Sequence, residues 1–412
     1  MPAITLPADG DKPYGAVLRT AINKINDAVD AVPFLNLNTY AGVDPTGVTE
    51  CSAAIQAAFD AALAQGLPVV SKQAQYRLSS GVTLNGSADL SRAVFNYTAS
   101  TGIALTIGAA GGLSRKQIRA PFVIALAKTV AGWGQVAGTI GIRCINLIGC
   151  EVTLQDVRAF ETGIQAYADV AAYLAYNRFF LTGSILNNKR GFVVATDGSA
   201  TAFANKNEVF GGDFNYSGEA VASAGTRHIL LTESVVPITS WTFHEPSLQD
   251  SSGSAEFMVD ISGRANVISN AYWETNVGTI KARWANGSYD NIIDFGVNSD
   301  LIEETVTGTA ENRLNRLGRD KVITANRTLD RTDFGKTLIL NAAGAITITL
   351  PDVAFLSPGT KVTIRNVAAT SASINTTTNT INGSLAALTL PQWGTMKFIS
   401  QKSPNAQWIR EV

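Results

Sequence analysis

The sequence is poor in histidine and cysteine. Its 412 residues include two histidines, His228 and His244, and three cysteines, Cys51, Cys144 and Cys150. No Cys-x-x-Cys pair occurs and the histidines lack metal-ligand spacing, so the sequence predicts no metal site, no redox site and no cofactor. Cys144 and Cys150 lie in an apolar run and are predicted to pack as small core residues rather than to form a disulfide.

Charge is also scarce, since 16% of the residues are charged against about 25% in an average protein. The 32 basic and 33 acidic residues leave a net charge of −1, which argues against binding to nucleic acid or to an anionic membrane surface. The apolar runs are shorter than the ~20 residues of a membrane-spanning helix, so no membrane insertion is expected. The N-terminus lacks a secretory signal pattern, so any action outside a cell requires another route of delivery.

The spacing of apolar residues predicts a helix near the N-terminus, over 14–33. Apolar side chains occupy the a and d positions of two heptads, at Leu18, Ile22, Ile25, Val29 and Val32. Isoleucine at neighbouring a and d positions favours three strands, and two heptads are too short to be stable alone. We therefore expect a short trimeric neck, with an amphipathic helix lying on its own domain as the alternative.

A second helix is predicted over 52–65, with Thr49 or Ser52 as its N-cap and Gly66 at its end. Its apolar face comprises Ile55, Phe59, Ala62 and Leu63. This helix lies within AGVDPTGVTE…AAIQAAFDAA…GLPVV…YRLSSG, which resembles the initial segment of pectate-lyase-like right-handed β-helix proteins. The matching residues are Gly42, Asp44, Gly47, Ala54, Ile55, Ala58 and Tyr76, whereas Glu50-Cys51 and Ser71–Gln73 depart from the family pattern. The resemblance implies a helix that caps the open end of a solenoid.

Short β runs fill residues 81–310 and carry a weak repeat. Gly-apolar steps occur at Gly102-Ile103, Gly141-Ile142, Gly163-Ile164 and Gly191-Phe192, and the last three are 22 and then 28 residues apart (141 to 163 to 191). Asn266-Val267-Ile268 and Asn291-Ile292-Ile293 are 25 residues apart (266 to 291). Repeats of this length favour a parallel β-helix, with irregular β structure as the alternative.

Two further resemblances point to bacteriophage proteins. Residues 170–276, which include YNRFFLTGSILNNKRGFVV and NVISNAYWETN, are similar to stretches of tailspike and tail-fibre β-helices. Residues 322–412 predict short alternating strands and resemble the small β-sandwich that ends many phage tail proteins, through the elements at 335–338, 348–351, 359–362 and 405–408. Trp393 and Trp408 of this region are predicted to be core residues rather than sugar contacts.

The predicted fold is therefore all-β: a right-handed parallel β-helix with a short N-terminal helix and a C-terminal β-sandwich. The predicted units are a helical neck and virion-attachment segment over 1–38, a capped β-helix over 39–315, and the β-sandwich over 316–412.

Glycoside hydrolysis needs two carboxyl groups, and acids on adjacent coils of a β-helix approach each other across one strand spacing, about 4.8 Å. The segment 241–274 is the richest in acids and aromatics. The predicted catalytic carboxylates are Glu245, Asp250 and Glu274, with Asp213 of the Gly211-Gly212-Asp213 turn as a further candidate. Glu245 and Glu274, 29 residues apart (245 to 274), are expected on successive coils. The predicted substrate contacts are Trp241, His244, Arg264, Tyr272 and Trp273, with Trp241 and Trp273 as a sugar-stacking platform.

Together, these features predict a homotrimeric phage tailspike or short tail fibre that is part of the virion and acts at the host cell surface. It is expected to bind, and as a glycoside hydrolase to degrade, a host surface polysaccharide such as lipopolysaccharide O-antigen or capsule. Its N-terminus is expected to contact phage tail or adaptor proteins. A purely binding or structural tail protein, a polysaccharide lyase using His244 and Arg264, and a free-standing bacterial polysaccharide enzyme are the alternatives.

Overall fold

Parallel strand pairing dominates the molecule. The computed structural model describes residues 33–411 except 127–135, 171, 200, 217–224, 233–237, 251–254, 276–279, 285–287, 298–301, 307–310, 317–320, 331–332, 336, 357–358 and 403–405. The predicted neck helix therefore lies outside the described residues. No helix in the described ranges is long and apolar enough to cross a membrane.

A helical cap precedes the first full coil. The cap contains β1 (Leu35–Asn36), a 3₁₀ turn (Leu37–Thr39), β2 (Thr46–Glu50) and α1 (Ser52–Gln65). The first coil strands follow: β3 (Val69–Val70), β4 (Ala74–Leu78), β5 (Val82–Leu84), β6 (Ala88–Asp89) and β7 (Ala93–Tyr97). The bounds of α1 confirm the predicted helix, and Gly66 ends it in the left-handed conformation, with φ of 67°.

Two details of the helix prediction are wrong. The N-cap position belongs to Cys51, which makes no side-chain cap bond. Instead, the carboxylate of Glu50 accepts a hydrogen bond from the Ser52 N–H at 2.7 Å, because an acceptor just before the first turn satisfies a free backbone donor. Leu63, predicted on the buried face, is 51% exposed.

Successive coils then add one strand after another to two large sheets. Their strands are β8 (Gly102–Ile107), β9 (Leu113–Ser114), β10 (Gln117–Arg119), β11 (Phe122–Ala125), β12 (Val136–Ile145), β13 (Leu147–Ile148), β14 (Glu151–Leu154), β15 (Val157–Arg158), β16 (Phe160–Ala168), β17 (Tyr173–Ala175), β18 (Arg178–Leu186), β19 (Arg190–Thr196), β20 (Phe203–Tyr216), β21 (Arg227–Leu231), β22 (Thr239–His244), β23 (Ser247–Asp250), β24 (Phe257–Ile261), β25 (Val267–Thr275), β26 (Ile280–Trp284), β27 (Tyr289–Val297), β28 (Ile302–Val306) and β29 (Glu311–Arg316).

One face of this parallel β-helix is a nine-stranded sheet in the order β28-β26-β24-β21-β19-β16-β12-β8-β5, and the remaining coil strands join a twenty-stranded sheet. The predicted repeat coincides with the strand register, since Ile142 pairs with Ile164 and Ile164 pairs with Phe192. Ile103 is offset and pairs with Ile140. Val267 pairs with Ile292 and Ile268 with Ile293, as the asparagine repeat predicts. The inward side chains form one continuous core, which includes the free cysteines.

Buried asparagines line one corner of the β-helix. Asn207 Oδ1 accepts hydrogen bonds from the N–H and the amide of Asn177, and its own amide donates to the carbonyl of Leu174 at 2.8 Å. Asn291 Oδ1 likewise accepts from the N–H and the amide of Asn266. Each amide thus satisfies backbone groups that the corner would otherwise leave unpaired.

Two facing sheets form the C-terminal part. Their strands are β30 (Lys321–Ile323), β31 (Arg327–Thr328), β32 (Thr337–Leu340), β33 (Thr347–Leu350), β34 (Lys361–Asn366), β35 (Ala372–Thr376), β36 (Thr380–Ile381), β37 (Leu388–Leu390), β38 (Thr395–Gln401) and β39 (Gln407–Glu411), and a second 3₁₀ turn spans Val353–Phe355.

The β-sandwich class is confirmed, with sheets of six and four strands that share a separate core. The first pairings in each sheet are parallel (β30–β32–β34 and β31–β33–β35), and β37 and β38 add antiparallel strands. Trp408 is buried in this core as predicted, whereas Trp393 is 65% exposed, so its predicted core position is wrong.

Candidate functional site

Four neighbouring strands, β18, β20, β23 and β25, place two rows of side chains on the outside of the twenty-stranded sheet. The first row is Ser184, Asp213, Ser247 and Tyr272, and the second, two residues further along, is Leu186, Asn215, Gln249 and Glu274. The side chains between the rows, Ile185, Phe214, Leu248 and Trp273, are buried in the core. Alternation along each strand therefore turns both rows outward.

Hydrogen bonds fix the carboxylate of Asp213 within this surface. Gln249 Nε2 donates to Asp213 Oδ1 at 3.0 Å, and the Ser184 hydroxyl donates to Asp213 Oδ2 at 3.2 Å. Gln249 is itself oriented by the amide of Asn215, which donates to its Oε1 at 3.1 Å. Because each Asp213 oxygen already accepts a bond from a neighbouring coil, the carboxylate has a defined orientation.

A bend within β20 presents Asp213 to this surface. Gly211 and Gly212 adopt φ of 71° and 96°, and a Cβ on Gly212 would lie 2.8 Å from the Cδ1 of Leu181. The pairing with β18 changes register at the same point, between Leu181 and Ser184. The predicted Gly-Gly-Asp turn is thus a bend inside a continuous strand.

Glu274 and Tyr272 occupy the other side of β23. The hydroxyl of Tyr272 donates a hydrogen bond to Glu274 Oε2 at 3.1 Å, and this bond raises the pKa of Tyr272. Tyr272 is 42% exposed. Since β23 separates β20 from β25, Asp213 and Glu274 lie two strand spacings apart across the sheet, about 9.6 Å, and two residues apart along it, about 6.6 Å. Their backbone positions are therefore about 12 Å apart.

The two predicted stacking tryptophans are core residues, so the sugar platform is wrong. Trp241 and Trp273 are fully buried. Trp241 stacks on Phe179 at 5.9 Å between ring centroids, and its Nε1 donates to the carbonyl of Ala204 at 3.0 Å. Its N–H donates to Asn266 Oδ1. Trp241 therefore occupies a corner position at which the neighbouring coils have the buried asparagines Asn207 and Asn266.

Two predicted carboxylates lie away from the surface formed by the rows. Asp250 is 3% exposed, and its Oδ2 accepts a hydrogen bond from the Ala255 N–H at 2.8 Å, a structural contact at a coil corner. Glu245 is exposed at another corner, with φ of 53°, beside Asn270. Glu245 and Glu274 lie on successive coils as expected, since β22 and β23 both pair with β25. Glu274 is opposite Gln249, however, so the two carboxylates are not directly opposite each other.

His244 and Arg264 are also separate from the two rows. The imidazole of His244 stacks on Phe210 at 4.6 Å, and Phe210 stacks on Phe180 at 5.1 Å. Arg264 precedes β25, at the other end of that strand from Glu274, and its carbonyl accepts the N–H of Ser240. Their predicted substrate contacts stay predictions.

Sequence reasoning missed Ser184, Asn215, Ser247 and Gln249. The signal for three of them was a tripeptide with an apolar centre and polar flanks: Asp213-Phe214-Asn215, Ser247-Leu248-Gln249 and Tyr272-Trp273-Glu274. Among residues 33–411, outside the undescribed segments, no group of three His, Cys, Asp or Glu side chains is arranged to hold a metal ion.

Comparison with solved structures gives similar folds at low sequence identity. A Geobacillus virus E2 protein, ORF18, is 12% identical, with a TM-score of 0.49 over 98% of this chain and 80% of its own. PfbA, a surface adhesin of Streptococcus pneumoniae, is 10% identical, with a TM-score of 0.47 over 92% of this chain and 98% of its own.

Tailspike protein 3 of bacteriophage CBA120 is 11% identical, with a TM-score of 0.32 over 97% of this chain and 76% of its own. No protein-family model and no curated protein matches the sequence. At these identities the likeness concerns the fold and assigns no activity.

Proposed function

We propose that this chain is a phage tailspike-type protein that binds a host surface polysaccharide on the outer surface of β18, β20, β23 and β25 and hydrolyses it. The observation that carries the proposal is the placement of Asp213 and Glu274 on either side of β23, with the amide of Gln249 and the phenol of Tyr272 beside them. Amide and hydroxyl groups match the hydroxyls of a sugar, and the exposed ring of Tyr272 offers an apolar surface to its C–H groups.

The spacing of the two carboxylates is closer to the requirement of inversion than to that of retention. Inverting glycosidases hold their two carboxyl groups about 6.5–9.5 Å apart, which leaves room for a water molecule, whereas retaining enzymes need about 5 Å. The backbone separation of about 12 Å exceeds both ranges, so the two side chains have to lean toward each other around a bound sugar to reach the inverting distance. In this pair Asp213 is the proposed base, which activates the water molecule, and Glu274 is the proposed acid, which protonates the leaving oxygen.

The experiment compares Asp213→Asn, Glu274→Gln and the control Glu245→Gln, an exposed carboxylate outside the two rows. Purified protein is incubated with host-envelope polysaccharide, and reducing ends and absorbance near 235 nm are followed. We expect each of the first two changes to lower the rate of reducing-end release by about 100-fold or more, with no absorbance change and no effect of Glu245→Gln.

Full cleavage by both Asp213→Asn and Glu274→Gln would refute this catalytic pair. A rise in absorbance would identify a lyase, and glycan binding without any cleavage would identify a non-enzymatic adhesin.

Homotrimer formation and attachment to the phage tail through the N-terminus are part of the same proposal. They rest on the heptad pattern of residues 14–33 and on the sequence resemblance. We expect the full chain to have the mass of a trimer in solution by light scattering, and deletion of residues 1–33 to abolish incorporation into virions. A deleted chain that still enters virions would refute the role of the neck.

A further inference from the structure

A second concave site lies on the nine-stranded sheet, apart from the surface that carries Asp213 and Glu274. It is a cleft of about 410 Å³ on the outer side of β16, β19, β21, β24 and β26. Its floor contains Val193 and Leu230, which occupy equivalent positions on adjacent strands. The apolar floor is bordered by polar and charged side chains.

Three arginines line this cleft against one carboxylate. Arg190 and Arg227 are directly paired in register on β19 and β21, one strand spacing apart. Arg283 and Asp260 are likewise paired on β26 and β24. Like charges directly opposite each other on neighbouring strands are destabilising, so an arginine pair at adjacent positions needs compensating negative charge.

Three carboxylates, Asp260, Glu256 and Glu161, lie within ion-pair distance of the arginines and supply that compensation. Asp260, 2% exposed, accepts hydrogen bonds from the guanidinium groups of both Arg227 and Arg283, each at 2.8 Å. Glu256 contacts Arg227 at 3.1 Å, and this bond lowers the pKa of Glu256. Arg227 is thereby held rigidly, with 7% of its side chain exposed.

Arg190 is the arginine with the looser ion pair. Its guanidinium reaches Glu161 at 3.8 Å, which is longer than a hydrogen bond, and 36% of its side chain is exposed. Gln165 stands in the same outward row as Val193 and accepts a hydrogen bond from Arg143 Nε at 2.7 Å. The cleft thus combines an apolar floor, a preorganised guanidinium and a second guanidinium that faces solvent.

We propose that this cleft binds an acidic sugar, with the sugar ring over Val193 and Leu230 and its anionic group at Arg190. Guanidinium groups hold carboxylates and phosphates through paired hydrogen bonds, so a uronic acid and a sugar phosphate share the required chemistry. The site would recognise the charged units of a host surface polysaccharide independently of the carboxylates on the other sheet.

Isothermal titration of the full chain tests this with three probes: trigalacturonate, glucose 6-phosphate and the neutral maltotriose. We expect at least one acidic probe to bind, more weakly as salt concentration rises, and maltotriose not to bind. Binding of trigalacturonate alone would identify the carboxylate as the recognised group, and binding of glucose 6-phosphate alone the phosphate.

Two variants of the cleft and one control locate the binding. Arg190→Gln should weaken binding of the acidic probe by at least about tenfold, as expected for loss of a charged hydrogen bond. Gln165→Glu keeps the acceptor for Arg143 but adds a negative charge, and it should weaken binding similarly. Arg178→Gln removes an exposed, ion-paired arginine from the other sheet and should have no effect.

The proposal is overturned if neither acidic probe binds, if maltotriose binds equally well, or if both cleft variants bind as the unchanged chain does. The proposed hydrolysis has its own readout, reducing-end release in Asp213→Asn, whereas the acidic-sugar site is tested by probe binding in the cleft variants. The two proposals can therefore fail separately.

Discussion

His228 is a buried histidine at a position that neighbouring coils give to glycine. Gly163 and Gly191 precede the paired residues Ile164 and Phe192, and His228 precedes Ile229 in the same row. Its ring stacks on Tyr216 at 4.4 Å, and its Nε2 donates to the carbonyl of Gln249 at 2.9 Å. A Cβ on Gly191 would lie 2.6 Å from the carbonyl oxygen of His228, so a side chain is accommodated in one coil and excluded in the one before it.

The burial of His228 predicts a loss of stability in acid. Burial lowers its pKa to about 4, against an opposing influence of Asp250. An unfolded chain, with a histidine pKa of about 6.5, binds more protons than the folded one between pH 6.5 and pH 4. The free energy of unfolding should therefore have its full value above about pH 6.5. It should fall, by up to about 3 kcal/mol, as the pH drops to 4.

Urea unfolding at a series of pH values measures this effect. His228→Gln should flatten the dependence between pH 6.5 and pH 4, whereas His244→Gln, at a half-exposed ring, should preserve it. An identical pH dependence in His228→Gln would show that other groups cause the acid sensitivity.

At the scale of the element, the corner asparagines determine whether coils stack. Asn207 accepts two hydrogen bonds from Asn177 and donates to the carbonyls of Leu174 and Asn205. Asn207→Asp preserves the shape but replaces the donating amide with an oxygen that faces two carbonyls. We expect a loss of at least about 3 kcal/mol, since each unpaired buried polar group costs about 1–3 kcal/mol.

The matched control is Asn96→Asp, at a half-exposed position on β7 where the amide reaches Gln75 at 3.5 Å. Its effect on the free energy of unfolding, measured in urea, should be within about 0.5 kcal/mol, as at other surface sites. Equal destabilisation by the two changes would mean that the buried corner asparagines have no special role in stability.

The sequence reveals the coils better than it reveals the site. Apart from Gly102-Ile103, the recurring Gly-apolar and Asn-apolar-Ile steps predict the register correctly, because a core position must be apolar in every coil. Trp241 and Trp273 were misassigned because alternation shows that neighbours in a strand face opposite sides but does not show which side is the core. Asp213 and Glu274 come together only through the intervening β23, a relation between three coils that sequence spacing does not contain.

At the scale of the molecule, the described residues form two separate hydrophobic cores. One extends from Leu37 to Ile293 and the other from Ile323 to Trp408. The change of partners falls between β29, which pairs with β27, and β30, which pairs with β32. The predicted division near residue 315 stays a prediction.

Calorimetry tests that division. The full chain should show two unfolding transitions, and a chain ending at Arg316 should keep the β-helix transition within about 4 °C, the shift expected from about 1 kcal/mol. Loss of a cooperative transition in the shortened chain would instead mean that the C-terminal sandwich is needed to complete the β-helix.

The stacking of coils also affects how the outer surface of the β-helix can change during evolution. In a solenoid each coil contacts chiefly its neighbours, so stability is close to a sum of local contributions. Inward residues and corner asparagines supply those contributions, whereas outward residues such as Gln249 and Arg190 contribute little to them. The outward side chains can therefore diverge rapidly while the fold stays unchanged.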